Sequence, residues 1–378
     1  MKISSPSLSY DQISALSSIT SFINGGARSV TLTGPAGSGK SYLVKELAKL
    51  SSLAICATTN QAARLIDGVT VHSLLSITPK RDYKTGTEIF TINKKVKPLP
   101  PQLILIDEAS MVSSDLFKLL MKTKHRFIFV GDRCQLPPVN EDISKVFTHG
   151  KQITLTQIHR QAADSPIIQQ SIRLRHQQEI IPVNDVIITR RNEWLHDFDK
   201  KLDLCVSFTN KASIKWNHVI DPRLIGPWSS LITNDTIVYK DESGKDSIVI
   251  GSSQVAIFDM HEATFKGVKG WAVELEGIGE KFMPDNIDDA KAALREIAAL
   301  CAKKKASWRQ YFEMKDHFVD LRYPYSMTVH KSQGQTVRNI YVDMADILIS
   351  KRRDPSIYWK LAYVAITRAS EKVIIKVK

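Results

Sequence analysis

"TLTGPAGSGKS", residues 31–41, sets the frame for the whole chain. Three glycines, a lysine and a serine come directly after an apolar, β-prone run. Glycine at that density weakens a strand or a helix, and is expected where the backbone turns sharply or closely approaches another group. Gly34, Gly39, Lys40 and Ser41 fit the pattern G-x-x-x-x-G-K-[ST], a loop whose backbone N–H groups cradle phosphates. Pro35, Ala36, Gly37 and Ser38 complete the candidate cradle. Lys40 is expected to reach the β- and γ-phosphates of a nucleoside triphosphate, and Ser41 to ligate magnesium. The loop alone implies nucleotide binding and no more.

Working outward, "SYLVKELAKL" (41–50) has helical apolar spacing, and "LAICATT" (53–59), "QLILIDEAS" (102–110) and "RFIFVGD" (126–132) are apolar runs with polar ends. Apolar strands joined by helices predict a parallel sheet covered on both faces, with ligands at the carboxyl ends of its strands. Asp107 closes one such strand and fits the magnesium-holding acid, and Glu108 fits the group that orients or deprotonates the attacking water. A solvated turn is the plainer reading of "DE" at a strand end, but the pair gains weight from the glycine loop upstream. "GDRCQLPPV" (131–139) adds Gln135, a neutral donor and acceptor for a γ-phosphate or water, with Pro137 and Pro138 stiffening the segment beyond it. This set points to triphosphate hydrolysis rather than storage.

The chain has 378 residues, room for two or three domains, and its 43% hydrophobic content suits a protein with a buried core. No run approaches the roughly 18 apolar residues that suggest a membrane span. The N-terminus lacks the apolar stretch of a secretory signal. Cys56, Cys134, Cys205 and Cys301 are scattered, against a zinc site or disulfide framework and in keeping with a reducing cytoplasm. The net charge of +13 suggests a polyanionic partner, with nucleic acid first in line.

In order, "GPAGSGKS", "LIDEAS", "GDRCQLPPV", "VHKSQGQT" (329–336) and "YVAITRAS" (363–370) resemble the motifs of superfamily 1 helicases, most closely the 1B branch that holds RecD and the phage Dda helicases. The resemblance implies an α/β fold of two RecA-like P-loop cores, parallel sheets with flanking helices, carrying a β-hairpin insertion (1B) and an SH3-like β insertion (2B). It implies a first core over 1–77 and 101–163, the hairpin over 78–100, a second core over 164–230 and 322–378, and the SH3-like and helical insertion over 231–321. ATP and Mg²⁺ are implied as substrate and metal. Gln12 in "LSYDQISAL" is similar to the family's adenine-reading glutamine. Arg160 in "LTQIHRQ" resembles an arginine contacting the γ-phosphate from the first core, and Arg368 one reaching across from the second. Such arginines are worth about 10³–10⁵ in rate in other phosphoryl-transfer enzymes.

The same resemblance marks a DNA track. Thr59, Asn60 and Arg64 lie in "ATTNQAAR" (57–64), and Thr70 and His72 come next in "VTVHSLL". On the second core the track takes Thr209 and Asn210 of "FTNKAS" (208–213), with Thr328, His330 and Lys331. Gln333 and Gly334 join it to the nucleotide. "PKRDYKTGTEIFTINKKVKPLP" (79–100) reads as a hairpin about "TGT", its lysines suited to phosphates. Phe90 stands where a strand-separating aromatic could stack on a base, or else packs into the hairpin's own base. Lys303–Lys305 suit either DNA or a solvated helix face.

The expected activity is therefore ATP-dependent unwinding of duplex DNA by a translocase moving 5′ to 3′ on single strands, in replication or recombination. Single-stranded DNA and a duplex fork are the expected partners, with a single-strand-binding or other replication protein alongside. A monomer working in the cytoplasm, of a phage-infected host on the Dda likeness, fits the size. Two other readings stay open: a translocase that displaces proteins or drives a nuclease complex, and an ATP-switched nucleic-acid-binding module. A small-molecule kinase fits poorly, having no use for a second core.

Overall fold

The computed structural model describes residues 8–49, 53–92, 102–158 and 164–378, except 224, 228, 241–243, 245, 250 and 252. Helix α1 (Tyr10–Asn24) leads into strand β1 (Ser29–Thr33), the glycine loop and helix α2 (Lys40–Leu47). Strand β2 (Leu53–Ala57), helix α3 (Asn60–Leu65), the short strand β3 (Val69–Thr70) and the turn of helix α4 (Val71–Leu74) come next. The chain then makes an antiparallel hairpin, β4 (Ile77–Asp82) and β5 (Thr87–Ile92), and returns as β6 (Leu103–Asp107), α5 (Ser114–Met121), β7 (Arg126–Gly131) and β8 (Lys151–Thr154). The first sheet runs β3-β2-β6-β7-β1-β8 with every pairing parallel. Its inner strands are buried almost end to end, as "LILID" and "RFIFVG" require of strands covered on both faces. Val30, Leu32, Leu105, Ile128 and Val130 pack with Ile19 and Phe22 of α1 and Leu43, Val44 and Leu47 of α2.

A second parallel sheet, β18-β10-β19-β20-β9, takes β9 (Val186–Thr189), β10 (Leu204–Ser207), β18 (Ser326–Thr328), β19 (Val337–Asp343) and β20 (Ala369–Lys376). It is flanked by α6 (Pro166–Arg175), α10 (Met344–Lys351) and α11 (Pro355–Ile366), and β10 leads into α7 (Asn210–Ile220). Helix α11 is apolar nearly all round and accordingly buried from Tyr358 and Leu361 through Ile366. Its start is fixed by Pro355 at the first turn and by Asp354, whose side chain accepts from the Ser356 N–H.

The chain divides into two compact units. The first holds both parallel sheets, within Met1–Ser76, Lys94–Ser213 and Met327–Lys378. The second joins the hairpin, Ile77–Asn93, to Ile214–Ser326. In this second unit β11 (Ser230–Thr233), β14 (Gln254–Phe265), β15 (Val268–Leu275), β16 (Gly279–Pro284) and β17 (Leu321–Arg322) form an antiparallel sheet, with β12 (Ile237–Lys240) and β13 (Asp246–Val249) as a separate pair. Leu231, Ile257, Val273 and Leu275 make its core, and helices α8 (Ile287–Ala302) and α9 (Trp308–His317) complete it.

The hairpin is fastened to α9. Arg81 donates to Glu88 Oε1 at 2.7 Å and through both terminal nitrogens to the Asp316 carboxylate, and its guanidinium lies 4.7 Å over the Phe312 ring. Lys315 Nζ reaches Glu88 Oε2 at 2.6 Å. At the turn, Gly86 has φ +74°, and a Cβ there would fall 2.4 Å from the Trp308 indole. Only glycine meets both demands.

Candidate functional site

The glycine loop joins β1 to α2 as the sequence requires. Gly37 and Gly39 take φ +78° and +80°. A Cβ on Gly34 would stand 2.7 Å from Ser38 Oγ and 3.0 Å from the Leu155 carbonyl, so three of the loop's positions need glycine for stated reasons. Lys40 Nζ donates to the Gly34 and Pro35 carbonyls at 2.7 and 2.8 Å. Burial pulls its ammonium down, while the Asp132, Glu108 and Asp107 carboxylates work the other way. Ser41, in the first turn of α2, is exposed.

Asp107 ends β6, level with Ala57 of β2, and accepts from the Glu108 N–H at 2.8 Å. Burial, and after it the neighbouring Glu108 charge, pushes its carboxyl up to about 6. Glu108 sits at φ +50°, ψ +42°, a left-handed conformation that costs a non-glycine residue energy and recurs at functional sites. The Thr58 hydroxyl holds its carbonyl at 3.0 Å. Gln135 is buried, with Ser110 Oγ 3.5 Å from its Oε1. Gln12 is buried too, and its Oε1 accepts from the Ser9 N–H at 2.9 Å in a capping box that starts α1.

The second core closes on these groups. Gln333 Nε2 reaches the Leu136 carbonyl at 3.4 Å. Gly334, at φ +76°, lies so close to α3 that a Cβ would meet Ala62 Cβ at 3.0 Å and Thr59 Oγ1 at 3.1 Å. Gly334→Ala is expected to lower unfolding stability by about 1–3 kcal/mol through backbone strain and that contact, as read by urea denaturation. Arg368 is buried, donating through Nε to the Val364 carbonyl, through Nη1 to the Gln335 carbonyl and through Nη2 to Thr367 Oγ1, at 3.2–3.3 Å. Its guanidinium thus sits on its own core. Arg160 lies outside the described residues, as do the lysines at 94, 95 and 97.

One charged cluster joins residues that no single motif brings together. Asp132, 1% exposed, accepts from Arg175 Nη1 with both oxygens at 2.7 Å, from the Tyr363 hydroxyl at 2.5 Å and from the Cys134 N–H at 2.9 Å. The same Tyr363 oxygen accepts from the Ala36 N–H of the glycine loop at 3.0 Å. Tyr363 belongs to "YVAITRAS", and "GD" marks the strand end, so two of the three residues stand inside motifs that the sequence singles out. Arg175 has no signal beyond closing α6. All four cysteines are free, and Cys134 is the one not buried.

Of the residues expected to line a DNA track, three threonines have a local duty. Thr59, Thr70 and Thr209 cap α3, α4 and α7, accepting from the N–H groups of Ala62, Ser73 and Ala212. Thr209 Oγ1 also donates to Asp346 at 2.9 Å. Asn210 and Arg64 are exposed, Asn60 and Lys331 half-buried, and Thr328 buried. Burial lowers the His72 and His330 imidazoles, so near neutral pH they offer hydrogen bonds rather than charge. Phe90, opposite Pro79 in the hairpin, is 50% exposed.

Comparison with known proteins agrees with this geometry. The AAA domain family matches residues 7–200, just over half the chain, and a UvrD-like helicase C-terminal domain matches residues 323–375. The ATP-dependent DNA helicase dda of Enterobacteria phage T4 is 26% identical over 412 residues, covering 90% of this chain and 92% of that protein. The ATP-dependent RecD2 DNA helicase of Deinococcus radiodurans is 35% identical over 179 residues, covering 45% of this chain and 24% of RecD2. A Pif1 helicase from Bacteroides, solved with ADP-AlF3 and single-stranded DNA, superposes with a TM-score of 0.53 at 17% identity, over 96% of this chain and 92% of that one, and so shares its fold. The chain belongs to the AAA domain family, on the superfamily 1B helicase branch with Dda and RecD2.

Proposed function

We propose that this chain is an ATP-hydrolysing DNA helicase that moves 5′ to 3′ along single-stranded DNA and opens duplexes ahead of it. The observation that carries this is a set of hydrogen bonds at the strand-end rim of one parallel sheet, where Ala36, Asp132 and Leu136, with Asp132 beside Lys40 and the Asp107–Glu108 pair, meet Tyr363, Arg175 and Gln333 of a second. Nucleotide chemistry on one core is thereby in contact with elements of the other. Lys40 and the loop amides hold the triphosphate, and Gln12 faces the adenine. Ser41 and Asp107 offer oxygen donors of the kind magnesium takes alongside phosphate oxygens and water. The ion, when bound, neutralises charge on the phosphates. Glu108 takes the proton of the attacking water. Arg160 and Arg368 stabilise the transferring phosphoryl group, Arg368 by leaving its own-core partners as the cleft closes.

Thr59, Asn60, Arg64, Thr70 and His72 would hold the strand on the first core, and Thr209, Asn210, Thr328, His330 and Lys331 on the second. Phe90, on a hairpin braced by α9, is the group to split the duplex. A DNA substrate places its work inside a cell or an infected host, and among the described residues no helix is long and apolar enough to cross a membrane. Steady-state ATPase with and without oligo-dT tests the reading, with unwinding of 5′- and 3′-tailed duplexes as the second step. Stimulation of at least tenfold, abolished in Lys40→Ala, and unwinding confined to the 5′ tail are expected. An ATPase indifferent to DNA would remove the helicase and leave only the hydrolase.

A further inference from the structure

The link formed by Ala36, Tyr363, Asp132 and Arg175 joins the glycine loop to the second core through one hydroxyl. That hydroxyl has a single proton, which goes to the Asp132 carboxylate, and its lone pairs take the Ala36 N–H and, at 3.3 Å, Arg175 Nη1. Arg175 then balances the charge of a carboxylate almost wholly out of water, as a buried ion must be balanced. Its guanidinium also lies 5.3 Å over the Tyr363 ring. Asp132 comes from the first core, while Tyr363 and Arg175 come from α11 and α6 of the second. Burial and the Asp132 charge push the Tyr363 hydroxyl up, so it stays protonated and keeps donating at neutral pH.

We propose that Tyr363 and Arg175, acting through Asp132, are positioning residues that report nucleotide at the glycine loop to the second core. This rests on the helicase reading of the chain. A phosphate oxygen and the Tyr363 hydroxyl are alternative acceptors for the same Ala36 N–H. Seating the triphosphate there loosens Tyr363 and, with it, α11. Arg368 comes two residues after α11 and is anchored to that helix through the Val364 carbonyl. Release of Tyr363 therefore frees the element that presents Arg368, and the core bearing half of the DNA track moves with it. Neither residue touches the reacting atoms. Their effect is on how tightly hydrolysis answers to DNA.

The test is the oligo-dT stimulation factor, kcat with DNA over kcat without, in the full-length chain and its Tyr363→Phe, Arg175→Gln and doubly substituted forms. Phenylalanine keeps the buried ring and removes only the hydroxyl. Each single change is expected to cut the factor about tenfold, the size of one charge-assisted hydrogen bond, with KM for ATP moving far less. Because both residues act through Asp132, the double variant should fall no further than the worse single one. Arg175→Lys, which keeps the charge without the planar fork, should recover part of the factor. A wild-type factor in Tyr363→Phe would overturn the proposal while leaving the helicase standing. Parallel loss of both rates with a melting-point drop above about 10 °C would make the cluster merely structural and overturn it too. No stimulation in the wild type would overturn the helicase reading and this one together.

Discussion

Glu108→Gln is expected to reduce oligo-dT-stimulated ATP turnover by about 10²–10⁴-fold, the range that a positioned general base contributes. The amide fills the same volume at the same left-handed backbone position, so the Asp107 contact to the Glu108 N–H and the Thr58 contact to its carbonyl should persist. What is lost is the capacity to take a proton. Fluorescent-nucleotide binding should therefore survive while single-turnover hydrolysis collapses. Turnover within about threefold of wild type would take Glu108 away from the water.

Arg81→Ala should act far from that chemistry. Arg81 is 10% exposed in its side chain and serves both Glu88 and Asp316. Its removal leaves Asp316 without the guanidinium that both its oxygens accept from, while Glu88 retains Lys315 at 2.6 Å. The loss is expected to be about 3 kcal/mol, at the low end for a buried pair stripped of one partner. It should appear as early melting of the unit that contains the hairpin, in hydrogen exchange of β4, β5 and α9. If the braced hairpin is what splits the duplex, unwinding should fall much more than oligo-dT-stimulated ATPase. Arg81→Lys keeps charge without the fork and should lie between the two. Equal loss of both activities would deny the hairpin a special part in strand separation.

The glycine loop, the acidic strand end and the two sheets were legible because each is written in contiguous residues. An apolar run, a glycine spacing and a pair of acids need no knowledge of distant neighbours. The Asp132 cluster was not legible for the opposite reason: its partners lie 43 and 231 residues away, and nothing local distinguishes Arg175 from any arginine closing a helix. The same holds for the brace between Arg81 and Asp316, 235 residues apart. Thr59, Thr70 and Thr209 show a subtler limit. A threonine ahead of a helical stretch is a signal for a cap as much as for a phosphate contact, and here the capping duty is visible in the hydrogen bonds. Gln12 likewise serves the start of its own helix.

The separation of hairpin and brace has a consequence for how the chain is made. A two-stranded hairpin alone is marginal in water. With 235 residues between Arg81 and Asp316, and synthesis at about 5–20 residues per second, the hairpin leaves the ribosome roughly 10–50 s before its support exists. During that interval Ile89 and Phe90, both at least half exposed even in the finished protein, have no partner surface from α9 to shelter the strands they sit on. The first sheet can form around its own core meanwhile, since its strands are complete by Thr154. The newborn chain thus carries a folded nucleotide core with an unfinished appendage, and slow codons or a holding chaperone late in translation would act on the appendage alone.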